Sequence, residues 1–477
     1  MLKGINNADF LLSCLLLVAG YALYGLFVEK IFKINPQRIT PAVRYADGVD
    51  YVPLPTYKIF LIQFLNIAGL GPVFGAILGA LYGPVCLFWI VLGSIFAGGV
   101  HDYLSGMLSL RYKGQSVTFL MEKFFGNRFK YFFLLFLTFF LLLVGAVFAM
   151  SPAQMLAEAT KTPFLFWITV VFGYYFLATL LPIDKIIGRF YPLFALLLLC
   201  VTVLLISVLF TRDMPFYPNL SLTNQHPAGL PIFPLMFVTI ACGALSGFHA
   251  TQSPMMARCL TNEKYGRPVF YGAMITEGII ALMWATLGIS LYQGSPDLWK
   301  AIQNGGPGHV VSEVAEQFLG SVGGFLTILS VVILSITSGD TAFRSARLNF
   351  ADFLKYPQQK IRNRLMLSLF ILGGGILLTL FDLTRIWTYF GWANQVLATL
   401  TLWICSLYLA RKKKLYWITL LPAVFMTAVC ATYIATEKIG FNIPLFFAQL
   451  FGITIALFCA VCFFIHIFRS QNIHVRH

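Results

Sequence analysis

The sequence has few charged residues and no long polar segment. Charged residues make up only 11% of its 477 positions, whereas 59% are hydrophobic. A soluble protein of this length needs a polar exterior that this composition cannot supply. The longest polar stretch, residues 29–57, is too short to form a soluble domain. The composition therefore excludes a soluble fold and predicts a single all-helical, polytopic membrane domain.

Motifs of ATP-driven and hydrolytic proteins are absent too. The sequence contains no G-x-x-x-x-G-K-[ST] phosphate-binding loop and neither an H-E-x-x-H nor a G-x-S-x-G motif, which mark ATPases and hydrolases. We therefore expect no catalytic residues, no cofactor and no enzymatic activity. Transport by such a chain would draw on an ion gradient or run downhill.

Neither the cysteines nor the positive charge indicates a further partner. The nine cysteines fall almost entirely inside apolar runs, without metal-ligand spacing or a pair in an outer loop, so neither a metal site nor a disulfide is predicted. The net charge of +15 comes from Lys and Arg residues in short loops, which set membrane orientation. We expect the lipid bilayer as partner and no nucleic acid, and the oligomeric state is not indicated.

Thirteen apolar runs are long enough to cross a bilayer, which takes about 20 residues each. The number of Lys and Arg residues in the segments outside the spans alternates between low and high along the chain. Of the 33 basic residues, 27 fall in even-numbered segments. The positive-inside rule then predicts an outer N-terminus and a cytoplasmic C-terminus. The predicted spans are residues 8–27, 58–82, 84–110, 128–150, 163–181, 186–211, 231–258, 268–293, 319–345, 364–381, 384–410, 415–436 and 443–468.

Two of these spans contain helix-breaking residues near mid-membrane. The second reads NIAGLGP from Asn66 to Pro72, and the seventh reads GALSGFHATQSP from Gly243 to Pro254. Glycine and proline weaken the helical hydrogen bonds there. Ser253 before Pro254 predicts the N-cap and first residue of a new half-helix. A pair of kinked helices packed through small residues is the alternative.

The two interrupted spans also resemble each other. At an offset of 173 residues, five of ten positions are identical between residues 59–68 and 232–241. The two interrupted spans are the second and the seventh, five spans apart. Because this number is odd, the seventh span enters the membrane from the side opposite to the second. This predicts a 5+5 inverted repeat, in which free backbone groups at the breaks bind a solute or an ion. The predicted domains are 1–57 (N-terminus, first helix and cytoplasmic loop), 58–211 and 231–410 (the two repeats) and 411–477 (two C-terminal helices).

Ionisable side chains inside spans are costly to bury, which makes them candidate functional groups. In the ninth span Thr337, Asp340, Thr341 and Arg344 share one helix face. Asp340 is therefore a candidate for ion coupling, and a self-neutralising Asp340–Arg344 pair is the alternative. Glu277, about ten residues into the eighth span, would be either a proton carrier or a neutral carboxyl bonded to a neighbouring helix.

Other polar residues occur at mid-membrane positions. His101 and Asp102 are adjacent, and because neighbouring residues point apart on a helix, we expect no direct catalytic pair between them. His249 falls in the predicted unwound part of the seventh span, either as a functional group or as a satisfied hydrogen-bonding residue. Asn394 and Gln395 lie deep in the eleventh span, where they would form hydrogen bonds between helices.

These segments together resemble the carbon starvation protein A (CstA) family of bacterial inner-membrane transporters. The resemblance covers about residues 1–410. It rests on the segments TPA (40–42), DGVDYVP (47–53), GLGP (69–72), AGGVHD (97–102) and SGFH (246–249), on Asp340 with Arg344 and Arg347, and on the Asn394-Gln395 pair.

The resemblance implies uptake of short peptides during carbon starvation or proton-coupled import of pyruvate. It also implies the LeuT/APC-like inverted-repeat fold of the amino acid–polyamine–organocation class. Longer family members carry several helices beyond the ten-helix core, where this chain has two.

We therefore expect a proton-coupled symporter of a small carboxylate-bearing solute in the bacterial inner membrane, with sodium coupling or a passive channel as alternatives. The carboxylate would lie at a half-helix N-terminus, where free amides and the helix dipole favour an anion. The residues expected to bind the solute are Gly69, Gly71, Pro72, Ser246, Gly247, His249, Thr251, Ser253, Asn394 and Gln395. Those expected to couple the ion, H⁺ or alternatively Na⁺, are Asp340, Thr337, Thr341, Glu277 and Asp102.

Overall fold

The computed structural model describes residues 8–48, 50–180, 183–212, 216, 222–358 and 360–474, and within these ranges it contains helices and no strand. The helices are α1 (Asp9–Phe32), α2 (Thr56–Ile67), α3 (Gly71–Ala80), α4 (Val85–Arg111), α5 (Val117–Phe125), α6 (Asn127–Thr160), α7 (Phe164–Leu180), α8 (Ile183–Thr211), α9 (residues 232–239), α10 (Phe248–Ala257), α11 (Glu263–Tyr292), α12 (Ser295–Leu354), α13 (Ile361–Leu378), α14 (Leu383–Arg411), α15 (Trp417–Thr436) and α16 (Leu445–His474), with a single helical turn at Pro41–Arg44.

The helices have the length and composition of membrane spans. Among the described residues, ten are long and apolar enough to cross a bilayer, and α2 with α3 gives an eleventh if this bent pair is one span. Large apolar side chains such as Leu135 and Phe370 are 73% and 65% exposed on the outside of the bundle, where lipid would cover them. The protein is thus a multi-pass, all-helical membrane protein.

Two further predicted spans have weaker counterparts in the structure. Residues 163–181 correspond to α7, an apolar helix of 17 residues. Residues 231–258 correspond to the short helices α9 and α10. The count of thirteen spans therefore stays a prediction.

The 60-residue helix α12 is divided by two glycines. Gly306 and Gly320 have φ angles of 73° and 69°, in the left-handed region that glycine tolerates. The ninth predicted span therefore corresponds to the part of α12 that follows Gly320. This part contacts α6, where Phe343 packs on Gly145, and α8, where Tyr191 is hydrogen-bonded to Asp340.

Both interruptions predicted from the sequence occur. Helix α2 ends at Ile67 and α3 begins at Gly71, with a bend of 56° between them. Helix α9 ends at Thr239 and α10 begins at Phe248. The two breaks also contact each other, because a Cβ atom added at Gly75 of α3 would lie only 2.8 Å from the carbonyl oxygen of Thr239. Small residues thus allow the broken segments to meet inside the bundle.

The predicted start of the second half-helix at Ser253 and Pro254 is wrong. Helix α10 begins six residues earlier, at Phe248, so Pro254 lies inside it and His249 lies in its first turn rather than in an unwound segment. The earlier start has a physical cause: the side-chain oxygen of Asn394, 146 residues after Phe248 in the sequence, accepts a hydrogen bond from the Phe248 amide at 2.8 Å. A side chain of α14 therefore caps α10.

Candidate functional site

Four titratable side chains meet in the interior where α4, α10 and α11 pack together. His101 and Asp102 belong to α4, His249 to α10 and Glu277 to α11, and all four are fully buried. The Nδ1 atoms of His101 and His249 lie 2.7 and 2.8 Å from the two carboxyl oxygens of Asp102. The Nε2 atom of His249 lies 3.3 Å from Glu277 Oε2, within ion-pair distance. These four residues are called the His–carboxylate cluster below.

The hydrogen bonds to Asp102 orient both imidazoles. An ionised carboxyl only accepts hydrogen bonds, so beside an ionised Asp102 both Nδ1 atoms carry hydrogen and Nε2 of His249 faces Glu277. Neither carboxyl oxygen of Glu277 accepts a hydrogen bond from the described residues. An ionised Glu277 would add a second negative charge to a buried site, and one proton on His249 or Glu277 offsets it. The cluster is therefore suited to take up and release a proton.

The structure corrects the premise that the side chains of His101 and Asp102 point apart, because they are hydrogen-bonded to each other. Successive side chains on a helix are separated by about 100°, which still allows an imidazole to touch a short neighbouring carboxyl. Burial favours this contact because a hydrogen bond lost in the interior is not replaced by water. The sequence signal was present, since both residues are polar in an apolar span, but their partner His249 is 147 residues away from Asp102.

Asp340 has a different set of partners. The Tyr191 hydroxyl of α8 donates a hydrogen bond to Asp340 Oδ2 at 3.0 Å, and Arg344 approaches the same oxygen to 4.0 Å. Arg344 also donates to the carbonyl oxygen of Ala178 at 2.7 Å. The predicted i,i+4 pair is therefore present at the limit of ion-pair distance, and Tyr191 is a closer partner that sequence spacing did not indicate.

The two threonines beside Asp340 form hydrogen bonds within their own helix. The Thr337 hydroxyl donates to the carbonyl oxygen of Leu334, and the Thr341 hydroxyl donates to that of Ser338, both at 2.9 Å. Among the described residues, no group of three or more His, Cys, Asp or Glu side chains is arranged to hold a metal ion.

Asn394 and Gln395 join α14 to the start of α10. Besides capping Phe248, the Asn394 side-chain oxygen accepts a hydrogen bond from the Ser246 hydroxyl at 3.1 Å. The Gln395 side-chain amide donates to the carbonyl oxygen of Leu245 at 2.9 Å. Three predicted solute-binding residues, Ser246, Asn394 and Gln395, thus stabilise the break between α9 and α10.

Gly247 is required by the same packing. A Cβ atom added at Gly247 would lie 2.3 Å from the Asn394 carbonyl oxygen and 2.5 Å from the Ala398 amide nitrogen, both backbone atoms. We expect Gly247→Ala to destabilise the protein by about 3 kcal/mol, the upper part of the usual range for overpacking. Thermal melting and folded yield in detergent check this. Gly173→Ala on α7 is the matched control, because an added Cβ meets nothing within 4 Å there, and equal melting temperatures for both variants would contradict the prediction.

The remaining predicted solute-binding residues lie in or beside the breaks. The hydroxyls of Thr251 and Ser253 donate to carbonyl oxygens of α10 itself, those of Phe248 and His249. Gly71, which opens α3, packs so tightly on Cys242 that an added Cβ would lie 2.0 Å from the Cys242 Cβ. Pro72 follows it in the first turn of α3, and Gly69 lies between α2 and α3, next to Phe148 and Ser338.

Sequence reasoning missed two buried amides on α2. Gln63 and Asn66 lie one turn apart, are fully buried, and have side-chain oxygen and nitrogen atoms without a hydrogen-bond partner among the described residues. Buried polar groups normally find partners, so four unmatched atoms beside a helix break are notable. A signal was present in the sequence, because both amides stand in an apolar span, but the prediction for this span rested on its glycines and proline alone.

Comparisons with known proteins extend along most of the chain. The family model of the carbon starvation protein CstA matches residues 9–172, 153–304 and 302–433. The peptide transporter CstA of Escherichia coli (strain K12) is 25% identical over 562 residues, covering 89% of this chain and 80% of its own length. The pyruvate/proton symporter BtsT of the same organism is 27% identical over 333 residues, covering 56% of this chain and 46% of its own length.

A solved structure has the same overall fold. A crystal structure of a mutant manganese transporter of Eremococcus coleocola superimposes with a TM-score of 0.56 at 12% identity, covering 89% of this chain and 99% of that one. At this identity the likeness concerns the fold alone. The family match, in contrast, runs through both breaks and the His–carboxylate cluster, and it confirms the resemblance found in the motifs. The chain belongs to the carbon starvation protein CstA family.

Proposed function

We propose that the protein is a secondary active transporter that imports a small carboxylate-bearing solute, a short peptide or pyruvate, together with a proton. The names of its relatives, a peptide transporter and a pyruvate/proton symporter, support the class of solute. The observation that carries the proposal is His249, fully buried and placed between the carboxyls of Asp102 and Glu277.

Charge balance explains how solute and proton would move together. A carboxylate solute brings a negative charge to an interior that already holds Asp102 and Glu277. Unpaired buried charges cost several kcal/mol. A proton on His249 or Glu277 offsets the added charge, so each ligand makes the binding of the other more favourable.

The proton is assigned to the cluster rather than to Asp340. Asp340 already has two fixed partners, because it accepts a hydrogen bond from Tyr191 and has Arg344 nearby. Glu277 has neither a hydrogen-bond donor nor an Arg or Lys ion-pair partner among the described residues. Glu277 and His249 are therefore the exchangeable site, and Asp340 has a stabilising role.

The solute would bind at the breaks, next to the cluster. The unmatched amides of Gln63 and Asn66 can donate to a carboxylate and accept from a peptide N–H group. Helix α2, which carries them, packs against α10 and α11, which carry His249 and Glu277. The N-terminus of α10 is capped by Asn394, so among the half-helix ends the proposal favours the α2–α3 break at Gly69, Gly71 and Pro72 for the carboxylate.

The proposed membrane arrangement follows the sequence. It has thirteen spans in the inner membrane, two inverted five-helix repeats at residues 58–211 and 231–410, an outer N-terminus and a cytoplasmic C-terminus. The two observed breaks, at equivalent places in the repeats, support the inversion. The alternation of basic residues supports the orientation.

Uptake by proteoliposomes tests this function. Radiolabelled pyruvate and a radiolabelled dipeptide are offered to liposomes with an imposed proton gradient, and then with a sodium gradient instead. We expect saturable accumulation of at least one solute with the proton gradient only. Accumulation driven by sodium alone would establish sodium coupling, and unsaturable uptake without accumulation would establish a channel; either result contradicts the proposal.

A further inference from the structure

A second site lies away from the breaks, between the core and the C-terminal helices. A groove of about 620 Å³ runs between α14, α15 and α16, with α5 and the start of α6 at one end. Its lining on α14 extends from Trp392 to Leu407, a rise of about 22 Å. This exceeds half of the roughly 30 Å hydrocarbon core, the depth that one acyl chain fills. Phe125 and Phe458 on its rim are 39% and 64% exposed, so the groove opens to the side.

The polar groups inside the groove already have partners. Trp392 Nε1 donates to the Cys430 carbonyl oxygen at 3.1 Å, and Trp403 Nε1 donates to the Thr427 hydroxyl at 3.0 Å. The Thr427 and Thr399 hydroxyls donate to carbonyls of their own helices. Since these indole and hydroxyl donors are already hydrogen-bonded and the rest of the described wall is mainly apolar, the groove suits a hydrocarbon chain and not the transported carboxylate.

One end of the groove is basic. Arg411, at the last residue of α14, lies with its guanidinium 5.0 Å from the centre of the Phe124 ring and 3.3 Å from His466 Nε2. Phe124 and His466 both line the groove. The nearby acid Glu122 is paired with Lys130 at 2.7 Å, so it does not offset the charge of Arg411. An anion at this end would meet hydrogen-bond donors directly above an apolar slot.

We propose that this groove binds an anionic phospholipid, with one acyl chain along α14 and the phosphate against Arg411 and His466. The apolar, laterally open slot fits the chain, and the basic end is complementary to the phosphate. The lipid would stabilise the packing of the α15–α16 hairpin against the core. This inference is independent of the proposed solute and coupling ion.

Native mass spectrometry of the full-length protein tests the headgroup contact. The purified protein is incubated with equal amounts of phosphatidylglycerol and phosphatidylcholine that carry the same acyl chains. We expect preferential retention of phosphatidylglycerol, and Arg411→Gln should weaken it about fivefold, the usual effect of one basic residue at a membrane surface. Lys413→Gln is the matched control, because Lys413 is an exposed basic residue two positions after Arg411 and does not line the groove. Equal retention of both lipids by the unmodified protein would overturn the proposal.

A second pair of variants tests the slot itself. Ala431→Phe places a ring in the groove and should abolish retention of the lipid, whereas Leu421→Phe on the exposed face of α15 should not. Unchanged retention in Ala431→Phe would place the lipid elsewhere and contradict the proposal. If the unmodified protein is a dimer and Ala431→Phe dissociates it, the groove binds a second copy of the chain instead of a lipid. Arg411→Gln keeps the test valid if Ala431→Phe folds poorly, because Arg411 is exposed.

Discussion

Replacing Glu277 by Gln is expected to abolish proton-driven accumulation of the solute. Glutamine keeps the size of the side chain but cannot ionise, so the His–carboxylate cluster loses the carboxyl that faces His249 at 3.3 Å. A gradient of one pH unit supplies about 1.4 kcal/mol per proton, which corresponds to about tenfold accumulation, and it acts even where the charge of the solute cancels that of the proton. We therefore expect a drop of about tenfold in proteoliposomes at an imposed gradient of about one pH unit.

The control for this prediction is Glu158→Gln, the same substitution at an exposed position of α6. It should accumulate solute as the unmodified protein does. Solute binding and thermal melting of Glu277→Gln are measured beside it, because a coupling role predicts that both persist. Undiminished accumulation in folded Glu277→Gln would remove Glu277 from the coupling mechanism and make Asp340 the next candidate.

The sequence predicts helix positions well for a physical reason. A bilayer requires long apolar helices, so runs of apolar residues mark them directly. The breaks could be predicted as well, because glycine and proline near mid-membrane weaken a helix wherever they occur. The exact start of α10 could not be predicted from the sequence, since Ser253 before Pro254 resembles a local cap while the actual cap is Asn394 on α14.

The site was predicted in part for a related reason. An ionisable residue inside an apolar run can be recognised in the sequence, and this pattern identifies Asp102, Glu277 and Asp340 as candidate functional groups. Which of them meet depends on how distant helices pack, and the sequence does not report this. His249 joins Asp102 to Glu277, while Tyr191 on α8 binds Asp340 across 149 residues. The structure shows two separate groups, the His–carboxylate cluster and Asp340 with Tyr191 and Arg344.

Removing the carboxyl of Asp340 is expected to destabilise the protein rather than to uncouple it. Asp340 is fully buried, accepts a hydrogen bond from Tyr191 at 3.0 Å and has Arg344 at 4.0 Å. Removing one partner of a buried charge pair typically costs about 3–5 kcal/mol, because the other charge loses its compensation. Asp340→Ala should therefore melt at a clearly lower temperature and give less folded protein. Tyr191→Phe, which removes one hydrogen bond to a charged group, should cost about 1.5–3 kcal/mol.

Melting temperature and accumulation together separate the two roles of Asp340. Asp297→Ala is the control for the loss of a carboxyl, because its side chain is 64% exposed and pairs with Lys300 at the surface; surface changes stay within about 0.5 kcal/mol. Asp340→Asn keeps an acceptor for the Tyr191 hydroxyl and should lose less stability than Asp340→Ala. If Asp340→Asn instead melts normally but no longer accumulates solute against its gradient, Asp340 carries the proton. That result would contradict the stabilising role, because a structural pair cannot lose its charge without a loss of stability.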